Sequence, residues 1–261
     1  MAVGDQSRMN SVELIPLAGI PEVRAEDNLS EIILSAIGES GLTFLKGDIL
    51  AIAQKIVSKA EGRYVRLSEI EPSEEATHIA ERDGRDARLV EVVLRESNEI
   101  VIASNKALIV EHRSGAVCAH GGVDHSNLAG DADQVLLLPE DADASARKMR
   151  KELEKKIGFP PAVLIVDTQG RAFRSGVVGV SIGCAGIEPL VDMRGELDRS
   201  GQRLEITQVA QADEIAAATS ILMGQGAESI PVVIVRGYAY HPGENSASRL
   251  FRKKEDDLFR Q

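Results

Sequence analysis

Residues 163–176 read VLIVDTQGRAFRSG, an apolar run that changes abruptly into an acid, a hydroxyl and two arginines. The apolar residues 163–166 follow a proline pair and have the length and β-branched composition of a buried strand. We therefore expect Asp167 and Thr168 to lie in a loop at the exit of that strand. A carboxylate beside a hydroxyl supplies two hard oxygens, which suit Mg²⁺ or Mn²⁺.

Arg171 and Arg174 follow within the same stretch, after an expected turn at Gly170. Guanidinium groups bind phosphate and carboxylate through paired hydrogen bonds. The stretch as a whole thus predicts a metal-phosphate site. An Asp-Thr turn flanked by solvated arginines explains the same residues, because Asp is a common turn former at strand ends.

A second polar segment, residues 54–63 (QKIVSKAEGR), directly follows the apolar residues 49–53, which read as a buried strand. Lys55, Lys59 and Arg63 surround Gly62 and suggest an anion-binding loop. A solvated turn is the alternative interpretation of these residues.

The remaining periodicity alternates between helices and strands. Helical spacing is found after Asn28, which can cap residues 29–37, and in residues 73–97, 143–157, 211–223 and 246–261. Strand patterns occupy residues 12–16, 100–103, 107–112, 116–119, 135–138, 177–182, 204–209 and 230–235. Residues 100–119 carry tight-turn signals between short strands and predict an antiparallel meander. The expected fold class is α+β, with mixed and antiparallel sheets and flanking helices.

The composition of the chain excludes some classes of function. The chain has 30 basic and 41 acidic residues, a net charge of −11, and no Trp, which argues against nucleic-acid and membrane-surface binders. Small anionic ligands remain compatible, since local lysines and a divalent cation reverse the field. Cys118 and Cys184 are isolated and residues 1–10 lack a signal-peptide core, so we expect a cytoplasmic protein.

The segment after the meander, residues 121–127 (GGVDHSN), holds further polar candidates. Asp124 is a second candidate carboxylate for a metal, and Asn127 can hydrogen-bond a ligand or cap a turn. His120 and His125, together with Asp124, raise a zinc hypothesis, but the spacing of soft ligands is absent and oxygen ligands dominate the first site. Partly solvated histidines at a strand end are the alternative.

Five segments occur in an order that resembles the coenzyme F420-0:L-glutamate ligases, the γ-glutamyl ligases of deazaflavin cofactor synthesis. They are SKAEGR (58–63), GVDHSN (122–127), VDTQGRAFRSG (166–176), ADEIAAATSILMGQG (212–226) and IPVVIVRG (230–237). Each is weakly specific alone, whereas five in order are strongly specific. The resemblance implies a γ-glutamyl-ligase-like fold of two intimately connected subdomains.

The resemblance also implies an activity. A ligase of this family would use GTP to phosphorylate the lactyl carboxylate of coenzyme F420-0, and L-glutamate would then attack the acyl phosphate. Further additions would extend a γ-linked tail. The implied cofactor is Mg²⁺ or Mn²⁺, bound as one ion or as two, and K⁺ is a further candidate. The implied assembly is a homodimer.

The family roles transfer to residues of this chain as follows. Asp124, Asp167, Thr168 and Gln225 resemble the metal ligands. The implied nucleotide contacts are Ile20, Pro21, Glu22, Val23, Gln54, Lys55, Lys59, Asn127, Met223, Gly224, Gln225, Gly226, Ala227, Glu228, Ser229 and Ile230. Arg171 and Arg174 are our own assignment, as residues that hold the acidic substrate. Together with Asp124 and Asp167 they form the expected set of catalytic residues.

Two positions depart from the family pattern. Gln225 stands where archaeal relatives often have Glu, and an amide binds a divalent cation more weakly than a carboxylate. Another oxygen therefore completes the second metal site, or that site is lost. Gln54 and Lys55 stand where relatives have small hydroxyl residues. The difference affects the contacts with the nucleotide base, and so the preference for GTP over ATP.

Three functional hypotheses follow. The first is the F420-0 ligase, the second a related nucleotide-dependent ligase with a different acceptor, and the third a nucleotide-binding module without catalysis. The expected organisation is a flexible extension at residues 1–10, a single ligase domain at residues 11–245, and a charged helix or tail at residues 246–261. The flavin-reductase-like domain that some relatives carry after the ligase part is not expected here.

Overall fold

The computed structural model describes residues 11–124, 132–257 and 260. Its helices are α1 (Leu29–Glu39), α2 (Gln54–Ala60), α3 (Glu74–Asp83), α4 (Ala87–Arg95), α5 (Ala142–Ile157) and α6 (Gln211–Met223). Its strands are β1 (Glu13–Pro16), β2 (Ile49–Ala53), β3 (Tyr64–Arg66), β4 (Ser97–Ala103), β5 (Leu108–His112), β6 (Val117–Ala119), β7 (Gln134–Leu136), β8 (Ala162–Arg171), β9 (Arg174–Ala185), β10 (Val191–Asp192), β11 (Gln208–Val209) and β12 (Val232–Arg236).

A five-stranded mixed sheet forms the centre, in the order β1-β12-β2-β8-β9. The β2–β8 pair is parallel, while the β1–β12, β12–β2 and β8–β9 pairs are antiparallel. Helices cover both faces of this sheet, so its central strands read as continuous apolar runs. Leu50 and Ile52 of β2 pack in the cluster that contains α1 and α5, and Ile49 and Ala51 pack in the cluster that contains α6. The predicted α+β class with mixed and antiparallel sheets is confirmed.

The predicted meander is also confirmed. Strands β4, β5 and β6 form a three-stranded antiparallel sheet, and its buried side chains pack against α3 and α4. The helical pattern of residues 73–97 proves to be two helices, because Gly84 takes a left-handed conformation (φ 69°) that ends α3. The side chain of Asp86 then caps α4 by accepting a hydrogen bond from the Arg88 backbone N–H.

Helix α6 lies against β9 at a contact that only glycine permits. A Cβ atom at Gly179 would stand 2.4 Å from the backbone oxygen of Ala216. The carboxylate of Asp213, in the first turn of α6, accepts the backbone N–H of Ser181 at 2.9 Å. These contacts fix α6 on the sheet, and thereby fix the loop that follows it.

Two strand predictions were wrong in extent. The run that begins at Val163 does not stop before Asp167: β8 continues to Arg171 and pairs with β9 as a long hairpin, so Asp167 and Thr168 lie within a strand. Pairing overrides the Gly170 turn signal, and the chain turns instead at Ala172 and Phe173. The strand predicted for residues 204–209 is reduced to Gln208–Val209, which pair with β10.

Two other local predictions were wrong in type. Residues 54–60 form helix α2 rather than an anion-binding loop or a solvated turn. The described part of residues 246–261 forms two short 3₁₀ turns, Ala247–Leu250 and Lys254–Asp256, and no α-helix. Tertiary contacts hold this segment instead, since the Arg260 side chain is buried in ion pairs with Glu99 and Glu111. Residues 1–10 lie outside the described part of the chain.

Candidate active site

A cavity of about 480 Å³ opens where the central sheet, α2 and the loop after α6 meet. Every residue of the predicted nucleotide segments 20–23 and 223–230 lines it except Glu228, and Gln54, Lys55 and Lys59 line it as well. The remaining wall is formed by Ala53, Ile56, Val166, Asp167, Thr168, Ser220 and Pro231. Segments far apart in sequence, predicted separately, thus meet around one space.

The parallel pairing of β2 with β8 brings these segments together. Ala53, the last residue of β2, is the register partner of Val166. After Ala53 the chain enters α2, and after Val166 it continues along β8 to Asp167 and Thr168. Because the carboxyl ends of parallel strands meet at one edge of a sheet, this edge is the place where ligands bind in many α/β folds.

Asp167 is the most perturbed carboxyl group of the site. Burial raises its pKa to about 6, and the nearby Asp124 carboxylate also raises it. Hydrogen bonds from the Thr168 backbone and the Gln169 side chain, together with the Lys55 ammonium, oppose this shift. A partly buried carboxyl group of this kind gains strongly from a cation, which compensates for the lost solvation.

Asp124 is held beside the cavity by a short turn. Its backbone exchanges two 2.9 Å hydrogen bonds with Leu136, and its Oδ2 lies 2.7 Å from Lys55 Nζ. The preceding Gly122 has a φ of 69°, and a Cβ atom there would stand 2.7 Å from the Leu138 side chain. Glycine is therefore needed for the chain to pass under Leu138 and present Asp124.

Lys59 lies almost fully buried in the last turn of α2. Its side chain is 8% exposed, and its Nζ pairs at 2.5 Å with the carboxylate of Glu22, which is 68% exposed. Glu22 belongs to the predicted 20–23 turn, so this ion pair joins two predicted nucleotide segments. Gln54, at the start of α2, accepts a hydrogen bond from the Ser58 hydroxyl at 2.9 Å, which orients its amide.

The arginines of the opening stretch do not lie in this cavity. Arg171 and Arg174 are register partners at the exposed tip of the β8–β9 hairpin. Arg171 is four residues along an extended strand from Asp167, a separation of roughly 13 Å. The expected cluster of acid, hydroxyl and arginine around one glycine turn is therefore not formed, because that segment is a strand.

Oxygen ligands for a hard cation are present at the cavity edge. Asp167, Thr168 and Gln225 line the cavity with a carboxylate, a hydroxyl and an amide group, and Asp124 lies outside the lining but near enough to act on the charge of Asp167. Two carboxylates with smaller oxygen donors fit Mg²⁺ or Mn²⁺, which keep several waters and also bind substrate phosphates. Within residues 11–124, 132–257 and 260, no three His, Cys, Asp or Glu side chains are grouped as a metal site.

The zinc hypothesis gains no support from the described residues. The ring Nε2 of His120 lies 2.9 Å from Nη1 of Arg85, a cationic neighbour that disfavours a metal ion. His125 and Asn127 fall outside the described residues. Among the described helices, none is both long and apolar enough to cross a membrane.

Ser220, in the last turn of α6, lines the cavity but is not among the residues that the sequence predicts there. Its hydroxyl donates to the backbone oxygen of Ala217 at 2.8 Å, and it lies one helical turn before Gly224. The signal that could have identified Ser220 is its spacing of four residues before Gly224, where the loop begins. A residue four positions before a loop shares the face of the helix from which that loop departs.

Comparison with known proteins gives a consistent result. The sequence model described as F420-0:Gamma-glutamyl ligase matches residues 19–237. A protein of Methanothermobacter thermautotrophicus named coenzyme F420:L-glutamate ligase is 47% identical over 251 residues, which is 95% of this chain and 99% of that protein. Proteins of the same name from Methanopyrus kandleri and Archaeoglobus fulgidus are 44% and 41% identical, over 95% and 96% of this chain and 97% of each relative. The chain therefore belongs to the F420-0:γ-glutamyl ligase family, a family of C–N bond-forming enzymes.

Proposed function

We propose that this enzyme uses GTP to join L-glutamate to the lactyl carboxylate of coenzyme F420-0 and then extends a γ-linked glutamate tail. The observation that carries the proposal is the cavity, which is lined by Lys55, Lys59, the loop after α6 and Asp167, with Asp124 paired to Lys55 beside it. The names of the relatives supply the acceptor and the amino acid.

The proposed reaction has two steps. The acceptor carboxylate attacks the γ-phosphorus of GTP, which forms an acyl phosphate and releases GDP. The amine of L-glutamate then attacks the acyl carbon, a C–N bond forms as the C–O bond to phosphate breaks, and inorganic phosphate leaves. The amine proton passes to solvent. Phosphorylation is needed because a free carboxylate is a poor electrophile at neutral pH.

Different residues of the cavity contact the phosphates and the nucleoside of GTP. Lys55 and Lys59 neutralise phosphate charge, and the backbone N–H groups of residues 224–229 bind phosphate oxygens. The wall formed by residues 20–23 holds the base and ribose, with the amide of Gln54 as a polar contact. Burial of the Lys59 side chain reduces the screening of its charge by water, which strengthens its attraction for a phosphate.

Asp124, Asp167, Thr168 and Gln225 would hold the divalent cation. A bound Mg²⁺ or Mn²⁺ neutralises charge on the transferring phosphoryl group. The chain's own contribution is to hold Asp124 near Asp167, through the two backbone hydrogen bonds that Asp124 exchanges with Leu136. We further propose that the protein is a cytoplasmic homodimer, and that K⁺ is a candidate for an additional ion.

A mass-spectrometric glutamylation assay tests the proposal. Purified protein is mixed with coenzyme F420-0, L-glutamate, GTP and Mg²⁺ or Mn²⁺, with and without KCl, and the reaction is repeated with ATP. Product that grows by glutamyl units only with nucleotide and metal is expected. Binding of GTP by folded protein with no glutamate added to F420-0 would instead favour a different acceptor acid.

A further inference from the structure

The loop after α6 is closed around a carboxylate of its own. Oε2 of Glu228 accepts the backbone N–H of Gly226 at 2.8 Å. The same carboxylate also accepts the backbone N–H of Glu228 itself, and these two bonds lower its pKa below the ordinary range of glutamate. Successive backbone N–H groups that converge on one anion form the type of concavity that binds phosphate in other proteins.

The position of this carboxylate depends on the glycine at 224. A Cβ atom at Gly224 would stand 2.1 Å from Cδ of Glu228, whereas one at Gly226 would make only an ordinary van der Waals contact with Oε2, at 3.5 Å. Gly224 has a φ of 70° at the end of α6. The carboxyl group therefore lies directly over the bare backbone of Gly224, where a side chain would displace it.

This same loop lines the 480 Å³ cavity. Among its described residues 223–230, Glu228 alone is absent from the lining, because its side chain folds back onto the loop. The other anion-binding groups of the cavity are also matched internally. Lys59 pairs with Glu22, and Lys55 pairs with Asp124. A carboxylate of the chain thus pairs with each of the two lysines of the cavity and with the N–H groups of the loop.

We propose that Glu228 is an internal competitor for the phosphate-binding backbone of this loop, and that its displacement sets the affinity of the cavity for polyphosphate ligands. The inference rests on the proposed nucleotide-binding function of the cavity. When a phosphate binds, its oxygens take the N–H groups of Gly226 and Glu228, and the Glu228 side chain turns out to solvent. Such a turn needs no rearrangement of the core, since residues 225–229 are exposed.

Competition of this kind lowers the apparent affinity by the fraction of molecules whose loop is open. A loop that is open in about one molecule in ten binds its ligand about tenfold more weakly than a loop that is always open. A purely structural Glu228 predicts the opposite result. If the carboxylate of Glu228 only stabilises the loop in the conformation that binds phosphate, its removal disorders the backbone N–H groups of the loop and weakens binding.

Two variants separate these readings. Glu228→Gln removes the charge, and Glu228→Asp keeps the charge but shortens the side chain so that it cannot reach both N–H groups. Glu205→Gln is the matched control, because Glu205 is exposed and lies outside the cavity lining while its loss changes the net charge equally. Binding of GTP and of inorganic tripolyphosphate, each with Mg²⁺, is measured by isothermal titration calorimetry. Circular dichroism and thermal melting establish that each variant is folded.

We expect Glu228→Gln and Glu228→Asp to bind both ligands about fivefold to tenfold more tightly than the unaltered protein, with Glu205→Gln unchanged. Equal or weaker binding by the folded Glu228 variants overturns the inference, as does tightening by Glu228→Gln alone, which indicates only lost repulsion. Tighter tripolyphosphate binding without glutamylation of F420-0 supports the inference and rejects the proposed function. If the unaltered protein glutamylates F420-0 but its Glu228 variants bind no more tightly, the proposed function is supported and the inference is rejected.

Discussion

Lys55 Nζ lies 2.7 Å from Oδ2 of Asp124, an ion pair between the first turn of α2 and the turn that follows the meander. Both side chains are about one quarter exposed, at 29% and 25%. The pair links the lysine that lines the cavity to a carboxylate that acts on Asp167. The ammonium group therefore offsets part of the negative charge of Asp124 and Asp167. Binding of a divalent cation at Asp124 would free Lys55 for a phosphate.

Asp167→Asn should abolish glutamylation, with a loss of at least about a hundredfold, because an amide replaces a carboxylate ligand of the cation. Mass spectrometry of the F420-0 product measures the loss. Asp256→Asn, an exposed carboxylate near the C-terminus, is the control and should retain full activity. Normal turnover by folded Asp167→Asn would remove Asp167 from the metal site.

The stability of the metal-free protein should depend on the protonation of Asp167. Its pKa is about 6 in the folded protein and about 3.9 in an unfolded chain, so between these pH values the folded state binds more protons. The free energy of unfolding should therefore fall as the pH rises from about 4 to about 6, by on the order of 2–3 kcal/mol. Urea unfolding in EDTA measures this fall.

Asp167→Asn supplies the comparison for that experiment. The variant lacks the titrating group, so its unfolding free energy should lose this part of the pH dependence and exceed that of the unaltered protein at pH 7. Added Mg²⁺ should stabilise the unaltered protein and not the variant. A pH profile shared by both proteins would contradict the prediction.

Lys59→Met should weaken GTP binding by about tenfold or more, since a hydrogen bond to a charged group is worth about 1.5–3 kcal/mol. Methionine fills the same buried space, and Glu22 is left exposed to water rather than buried without a partner. The thermal midpoint should therefore change little. Calorimetric titration with GTP gives the affinity, and Lys156→Met on the exposed face of α5 controls for lost charge. Unaltered GTP affinity in folded Lys59→Met would show that Lys59 serves the fold alone.

The double variant of Arg171→Ala with Arg174→Ala should raise the KM for F420-0 several-fold and leave GTP affinity within about twofold. Both guanidinium groups lie at the hairpin tip, outside the cavity lining, where they can attract an anionic acceptor but not contact the nucleotide. The effect should shrink between about 50 and 300 mM salt, because exposed charges are screened. Arg199→Ala is the exposed control. An unchanged KM at low salt would exclude these arginines from acceptor binding.

Local sequence was sufficient for the elements whose signals agree with their surroundings. The apolar residues 49–53 are β2 from end to end, and residues 211–223 are α6 from end to end. Both are bounded by clear changes of composition, and both pack into a core that favours the local preference. The meander followed from short strands joined by turn residues, which pair with their neighbours in sequence.

Long-range pairing decided the elements that sequence misassigned. Residues 167–171 carry turn residues, yet they extend β8 because each has a register partner in β9, with one irregularity between Gly170 and Arg171. The 54–60 segment contains lysines and a serine that suggest a loop, but Ile56 and Val57 pack in the core and favour a helix.

For this protein, the sequence alone determined the α+β class, the family motifs and which residue types are available for a metal-phosphate site. Only the tertiary structure decided that segments 20–23, 54–59, 167–168 and 223–230 share one cavity. It also decided that Lys59 is buried, that the pKa of Asp167 is raised, and that Glu228 fills its own loop. The physical reason is that burial, electrostatic fields and backbone donors depend on distances between parts of the chain that a linear pattern does not contain.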